Sequence, residues 1–568
     1  MGGPPTAVDS TEPMPSAAIA VPGLSSRGSP AISPTALTCP AFSATRAITT
    51  GSATRIADHW NDGPWKDGSP TQSALPTPER SPVVSEFAGP AALLPVLRGR
   101  GRGDPRRAVR ALKTVRTIVT AAVRLYARTV LLMNCVHIPD PSFDGSECSM
   151  SGRSRAAVLL AAVVTLAAVL VPSAHAAPMA PDTAVLDGAR LQRTKLRLDQ
   201  GDPQLQRALG ELTTRADNWL TQGSWTVVDK PKPAPGGDLH EYLSQAPYWW
   251  PTRAPTADNP WGCPYVQRDG QRNPEVDSGT DRQDVEKVFD SAYDLSLAWY
   301  YTGKRAYAEK AAQVLRTWFL APATRMNPNL DHAQFIPCKY DGRAIGIIDF
   351  SQSYTSVVDA LAILGTGAPG WTKADRTGMS RWNSDFLGWL RNSAFGKEEG
   401  AAANNHGTFY DMQLAALAYA TGDRALARRT VLAARTGRID PQIAADGSQP
   451  QELARTRSWH YSTFDLVAYT RLAAIGRHVG VNLWAYQGSD GQGLFKAADY
   501  LLPAATGSAA WPHPELEFHR YAASDVVHAA ADAGDKAAQQ AVPKLETPPG
   551  GDLWALRPAA EQLDSIAG

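Results

Sequence analysis

Two short stretches of the 568-residue chain hold more carboxamide, imidazole, guanidinium and phenol groups than helix packing requires. The first is Asn404-Asn405-His406-Gly407-Thr408-Phe409-Tyr410, which runs straight into an apolar helical pattern. A single Asn at such a junction reads as a helix cap; two Asn followed by His read as a site. The second is Gln451-Glu452-Leu453-Ala454-Arg455-Thr456-Arg457-Ser458-Trp459-His460-Tyr461, with two Arg, a His and a Tyr in its last seven positions. If it is helical, Arg457 and Tyr461 share a face. If it is extended, Arg455, Arg457, Trp459 and Tyr461 point the same way. Either geometry brings a cation beside a phenol. A third stretch, His240 to Pro251, is framed by proline and carries Tyr242, Gln245, Tyr248, Trp249 and Trp250. Its rings suit stacking on sugars, and its polar neighbours suit hydroxyls; packing against the protein body is the equal alternative for any one ring.

Taken together these groups fit one kind of reaction. Breaking a uronate chain by β-elimination means removing the weakly acidic proton at C5 while the neighbouring carboxylate takes up charge. Arg, Asn or protonated His can neutralise that carboxylate where the charge grows. A base must take the C5 proton, and an acid must protonate the departing O4. A nearby cation favours the phenolate of a Tyr. In mannuronate or glucuronate both groups leave from one side, so one Tyr can serve twice. In guluronate they leave from opposite faces, and His406 would take the proton.

The elements that must position these residues are almost all helical. A helix is expected over 185–222. From Asp284 the pattern VEKVFDSAYDLSLAWYYTG places apolar residues at three-and-four spacing and stops at Gly303. YAEKAAQVLRTWFL is the returning helix. The same corner recurs at AYATGDRALA, its Thr-Gly pair 119 residues beyond the first, which marks a helical-hairpin repeat. Further helices are expected at 353–364, 373–393, 408–420, 424–436, 462–479, 493–502 and 522–532, with one minor strand around 343–349. Many hairpins with little sheet point to an all-α toroid or solenoid.

The overall formal charge of +1 hides two unlike parts. Residues 177–568 carry roughly 39 basic against 44 acidic side chains, about −5. A mildly acidic body argues against nucleic acid as partner, because that needs a broad basic face. At Met150 the chain reads MSGRSRAAVLLAAVVTLAAVLVPSAHAAPMAPD, with Arg153 and Arg155 before an apolar run and Ala174-His175-Ala176 after it. This is the anatomy of a secretory signal peptide over 150–176, cut after Ala176; the run is short for a bilayer span and ends in Pro172. Residues 1–149 read as an untranslated upstream extension or a disordered tail. Residues 177–568 are then the catalytic domain, secreted or periplasmic, with no membrane attachment in the mature form. Of five cysteines only Cys263 and Cys338 fall in this part, so a disulfide and two free thiols are equally open.

The ordered series SQAPYWWP (244–251), RDGQRNPE (268–275), RMNPNLDHAQFIPC with DGRAIGIID (325–349), KEEGAAANNHGTFYDMQ (397–413) and DGSQPQELARTRSWHYS (446–462) resembles the alginate-lyase superfamily, family-five-type alginate lyases and related glucuronan lyases. The resemblance implies an all-α fold, an incomplete (α/α) toroid of helical hairpins, with a central cleft, an acidic polysaccharide as partner, and neither metal nor cofactor. It implies that Asn405 and His406 neutralise the carboxylate, that Tyr461 is the catalytic Tyr, and that Arg455, slightly favoured over Arg457, assists. Tyr242, Gln245, Tyr248, Trp249, Trp250, Asn404, Arg343, Arg457 and His460 are the expected substrate contacts, the aromatic loop at 242–250 resembling a lid. Two other functions stand beside this one. An (α/α)-barrel glycoside hydrolase would use paired carboxylates from Asp277, Asp281, Asp284, Glu398 and Glu399; a non-catalytic acidic-glycan binder would use the aromatics alone. N-terminal sequencing of exported protein is expected to read from Ala177, and a start before Met150 would overturn the leader.

Overall fold

The computed structural model describes residues 178–564. The leader expected over 150–176, with its cleavage site, and the stretch 1–149 lie outside the described residues. Among the described residues no helix is long and apolar enough to cross a membrane.

The first expected helix is two. Helix α1 (Gly188–Asp199) is capped by Asp187, and α2 (Pro203–Thr221) by Asp202, whose carboxylate accepts from the N–H groups of Gln204 and Leu205. Gly201, at φ 82°, turns the chain between them. Pro203 lacks the N–H a continuing helix would need, but suits a first helical position. Helices α3 (Arg282–Thr302) and α4 (Arg305–Leu315) form the first hairpin, turned by Gly303 at φ 73°. Next come α5 (Tyr354–Leu364), α6 (Lys373–Asn392) and α7 (Ala394–Gly400). Helices α8 (Asn405–Ala420) and α9 (Arg424–Ala434) repeat the Thr-Gly corner, with Gly422 at φ 91°. Helix α10 (Ser458–His478) is followed by α11 (Leu494–Ala505), α12 (Ser524–Ala533) and α13 (Lys536–Ala541).

Helices α3, α5, α8 and α10 pack side by side as an inner row, while α2, α4 and α9 cover their outer sides. Position in the row sets composition. Every residue of α10 from Ser458 to Gly476 is buried, so no face of it meets solvent, whereas α9 buries only one stripe. An inner row with a covering row is the arrangement of an (α/α) toroid of hairpins. Phe289, Phe350, Tyr354, Trp382 and Phe386 fill the space between α3, α5 and α6 with mutually tilted rings.

Four short strands lie among the helices. β1 (Leu243–Gln245) runs parallel to β4 (His332–Phe335), and β2 (Trp249–Pro251) pairs antiparallel with β3 (Tyr265–Gln267). The strand expected around 343–349 is instead a 3-10 turn (Ala344–Ile347) leading into one turn of helix (Ile348–Ser351). That turn aims Asp349 inward, where it accepts from Tyr242, Ser244 and Gln334 and pairs with Arg282. One buried carboxylate thus ties β1, β4 and α3 together, and an extended chain at 349 would not deliver it. Cys263 and Cys338 form a disulfide that fastens the β2–β3 ribbon to the segment after β4.

The start of α10 is held from far along the chain. Glu515 accepts from the N–H groups of Trp459 (2.8 Å) and His460 (3.1 Å), and its other oxygen lies 3.6 Å from Arg457. Ser458 donates to the Pro514 carbonyl and accepts from Trp511. Glu515 therefore does for α10 what an N-cap residue does from next door. Glu515→Ala is expected to cost about 1–3 kcal/mol, because two buried N–H groups lose their acceptor and a buried guanidinium loses a neighbouring counter-charge. A melting temperature unchanged from the parent would show that the clamp contributes nothing.

Candidate active site

Tyr461 sits in the first turn of α10, 7% exposed, with its hydroxyl donating to that of Tyr248 at 2.8 Å. The guanidinium of Arg455 lies over the Tyr461 ring, 3.8 Å from its centroid. Arg455 precedes the helix, on the turn after Leu453, and its far side is fixed by Asp269, with Nη2 at 2.5 Å from Oδ1. Asp269 also accepts from the N–H and hydroxyl of Thr456. The pair settles each charge: burial opposes both, yet the Arg455 guanidinium holds Asp269 below the usual carboxylate range, and Asp269 holds Arg455 above its ordinary value.

Arg457 takes a different place. It is the residue before α10, so Tyr461 N–H donates to its carbonyl, but its buried side chain runs toward Glu515 and Glu517. The cation on the phenol is Arg455. His460 is buried as well, stacked on Phe464 and directed at Asp564. It points away from the surface that Tyr461 shares with Tyr248 because consecutive helical residues do not share a face.

Asn405 and His406 open α8, immediately after Asn404, which is half-buried and makes no side-chain cap bond. Glu452 accepts from both the backbone N–H of Asn405 (2.8 Å) and its Nδ2 (2.7 Å). The Asn405 amide is thereby fixed, with its Oδ1 unpartnered among the described residues. His406 donates from Nδ1 to Oε1 of Glu399 at 2.7 Å. A carboxylate only accepts, so Nδ1 carries the proton and Nε2 is the free end. Burial works against a charged His406, but the Glu399 carboxylate outweighs it and raises the imidazole above its ordinary value. The charge of Arg455 reaches both parts of the site, favouring the Tyr461 phenolate and opposing the His406 imidazolium.

Arg455 favours the Tyr461 phenolate as expected, but a larger effect opposes it. Burial, reinforced by the neighbouring Tyr248, pushes its phenol well above the ordinary range, and Arg455 only partly offsets this. The phenol rests protonated. Tyr248 is pushed up too, chiefly by burial.

The expected substrate contacts divide sharply. Tyr242 is 0% exposed, with its hydroxyl on Asp349, and belongs to the core. Gln245 is buried in β1 beside Tyr265. Both assignments are corrected, because β1 is covered on its two faces and offers neither to solvent. Tyr248 reaches Tyr461, and Trp250 is half-buried with its Nε1 donating to the Gln271 carbonyl. Trp249 packs the other way, onto Ala246, Tyr265 and Ile336, under Lys339. Arg343 donates to Gln334, which burial and the Asp349 network hold in place.

Three carboxylates of the site escaped the sequence reading. Glu399 stood there only as a hydrolase acid, and Glu452 and Asp269 had no role. The faint signal for Glu399 was its glutamate-rich setting seven residues before His406; nothing local announced the other two. Four of the five carboxylates of the hydrolase reading are committed elsewhere: Glu399 to His406, Asp281 to Lys230, Asp277 to Arg272 and Asp284 to Lys287.

A hairpin-built helical fold with this face is that of a polysaccharide lyase. The sequence model of the alginate lyase family matches residues 226–511. The crystal structure of an alginate lyase from Bacteroides ovatus is 32% identical over 67% of this chain and 100% of that one, with a TM-score of 0.62. Alginate lyase A1-III from Sphingomonas species A1 is a remote likeness, 16% identical over 61% of this chain and 93% of that one, with a TM-score of 0.37. No functionally curated protein matches. The chain belongs to the alginate lyase family, and it is a polysaccharide lyase acting on an acidic, uronate-containing polysaccharide.

Replacing Glu399 by Gln removes the charge that keeps the imidazole protonated. The His406 ring should then titrate at lower pH than in the parent, as read by NMR of the ring protons. An unmoved titration would detach Glu399 from His406.

Proposed function

We propose that this protein depolymerises mannuronate-rich alginate or a glucuronan-like chain, with Tyr461 moving both protons and Asn405, His406 and Arg455 surrounding the carboxylate. We place the mature enzyme, from about Ala177, outside the cytoplasm. The observation that carries the mechanism is the Arg455 guanidinium lying on the Tyr461 ring while its charge also reaches His406.

On this reading the uronate carboxylate accepts from the second Nδ2 hydrogen of Asn405 and from the free Nε2 end of His406. A raised imidazole meets it as a cation, and neutralising the carboxylate acidifies the C5 proton. Tyr461 rests as a neutral phenol donating to Tyr248. To act as a base it loses that proton to solvent water as the chain binds, and the Tyr248 hydroxyl, keeping its own proton, turns to donate it to the phenolate. Arg455 steadies the same charge from the ring face. Once the phenolate has taken the C5 proton it lies on the side from which O4 departs in mannuronate and glucuronate, and it returns the proton there. The products are a chain with a C4–C5 double bond and one with a new free end.

Tyr461→Phe is expected to leave less than about a tenth of the rate at which conjugated double bonds appear by ultraviolet absorbance. Tyr248→Phe removes a hydrogen bond to a charged group, worth about 1.5–3 kcal/mol, so kcat should fall roughly ten- to a hundredfold. A panel of alginate, polymannuronate, polyguluronate, glucuronan and hyaluronan would decide the substrate. New reducing ends without the absorbance, from every polymer, would defeat the elimination mechanism.

A further inference from the structure

The β2–β3 ribbon has two faces of opposite character. Residues paired across an antiparallel ladder, and residues two apart along a strand, share a face. Trp250 is paired with Val266, and Trp249 with Gln267. The ladder runs on, since Arg268 N–H donates to the Tyr248 carbonyl at 2.8 Å. Tyr248, Trp250, Val266 and Arg268 therefore lie on one face, and Trp249, Tyr265 and Gln267 on the other. The second face is the packed one, set on Ile336 beside the disulfide. The first face begins at the Tyr248 hydroxyl bound to Tyr461 and leads outward over Trp250 to Val266, which is 42% exposed.

Arg268 closes that face. Its guanidinium lies 4.8 Å from the centroid of the Trp250 ring, and among the described residues no carboxylate pairs with it. The other guanidiniums near the site are engaged: Arg455 with Asp269, Arg457 with Glu515 and Glu517, and Arg343 with Gln334. A cation held flat on an indole is fixed in direction while its donors stay free. A guanidinium fork matches a carboxylate with two parallel hydrogen bonds.

We propose that the outer face of the β2–β3 ribbon is a uronate-binding subsite beside the point of cleavage, where Arg268 grips the carboxylate of a neighbouring sugar and Trp250 and Val266 support its ring. This rests on the uronate-lyase reading and names a specificity residue for it. The ribbon carries one further sugar unit of the same acidic chain, so the enzyme reads charge at more than the unit it cleaves.

The test is made in the Tyr461→Phe background, where no turnover is needed, by titrating polymannuronate and glucuronan calorimetrically. Arg268→Gln should weaken binding about tenfold, and Arg268→Lys should fall between, having the charge without the fork. Val266→Asp, which puts a negative charge on the proposed face, should also weaken binding about tenfold, with a loss that shrinks at high salt. Gln267→Asp, one residue along and on the opposite face, should leave the affinity unchanged. Equal affinity for Arg268→Gln and the parent, or equal losses for Val266→Asp and Gln267→Asp, would overturn the subsite. With Tyr461 intact, Arg268→Gln should raise KM about tenfold through lost binding; a fall in kcat alone would also overturn it. Absence of double-bond formation by the parent enzyme would instead remove the lyase mechanism, and the affinities would still decide the ribbon.

Discussion

The site depends on a single guanidinium held between two elements that are remote in sequence. Arg455 is gripped by Asp269, 186 residues earlier, and lies on the Tyr461 ring six residues later. A partly buried charge of this kind is tolerable only with a carboxylate beside it. Asp269 satisfies that need, and in doing so fixes the loop after β3 against the start of α10. The ribbon carrying Tyr248 is thereby brought to the helix carrying Tyr461, and their hydroxyls meet at 2.8 Å. The field of the same cation extends to His406 and Glu452 on the neighbouring elements. Loss of this ion pair would leave the phenol, the ribbon and the carboxamide-imidazole pair without a common reference.

The supports of the site share one design. Each reacting group is presented by a helix start and fixed by a carboxylate from another part of the chain: Asn405 by Glu452, His406 by Glu399, and the first turn of α10 by Glu515. Helix starts leave N–H groups unpaired and carry partial positive charge. Carboxylates fit there for the same reason that a substrate carboxylate does. The protein fills the inner positions with its own acids; on the proposed mechanism the Nε2 end of His406 and the second Nδ2 hydrogen of Asn405 remain for the ligand.

Much of this was legible in the sequence, and the division follows the range of the forces. Hairpins were readable because three-and-four spacing and Thr-Gly corners are local; Gly303 and Gly422 both adopt positive φ as a chain reversal requires. Asn405, His406, Arg455 and Tyr461 stood out as unusual chemistry at helix starts. Asp269, Glu452 and Glu515 did not, since an acid far from its partner looks like any solvated surface acid. Tyr242 and Gln245 were misplaced for the converse reason. The stretch around them reads as a proline-framed loop, and nothing local tells that Tyr242 and Gln245 are buried. The one long helix expected over 185–222 failed locally, where Gly201 and Pro203 outweighed an unbroken apolar pattern.

The resting protonation of the site bears on how such a lyase gains its rate. Burial keeps Tyr461 a neutral phenol, and Glu399 favours the cationic form of His406. A site that instead held a bare phenolate would repel the incoming carboxylate. On the proposed mechanism the chain meets a neutral phenol and a face whose charges attract it, and the strong base forms only when the carboxylate has been neutralised and the C5 proton is at hand. The same burial that makes the phenolate costly makes it a strong base once formed, because its pKa is high. Interactions with Arg455 and Tyr248 strengthen as the charge develops and are weak before it, which is the condition for lowering a barrier without trapping the substrate.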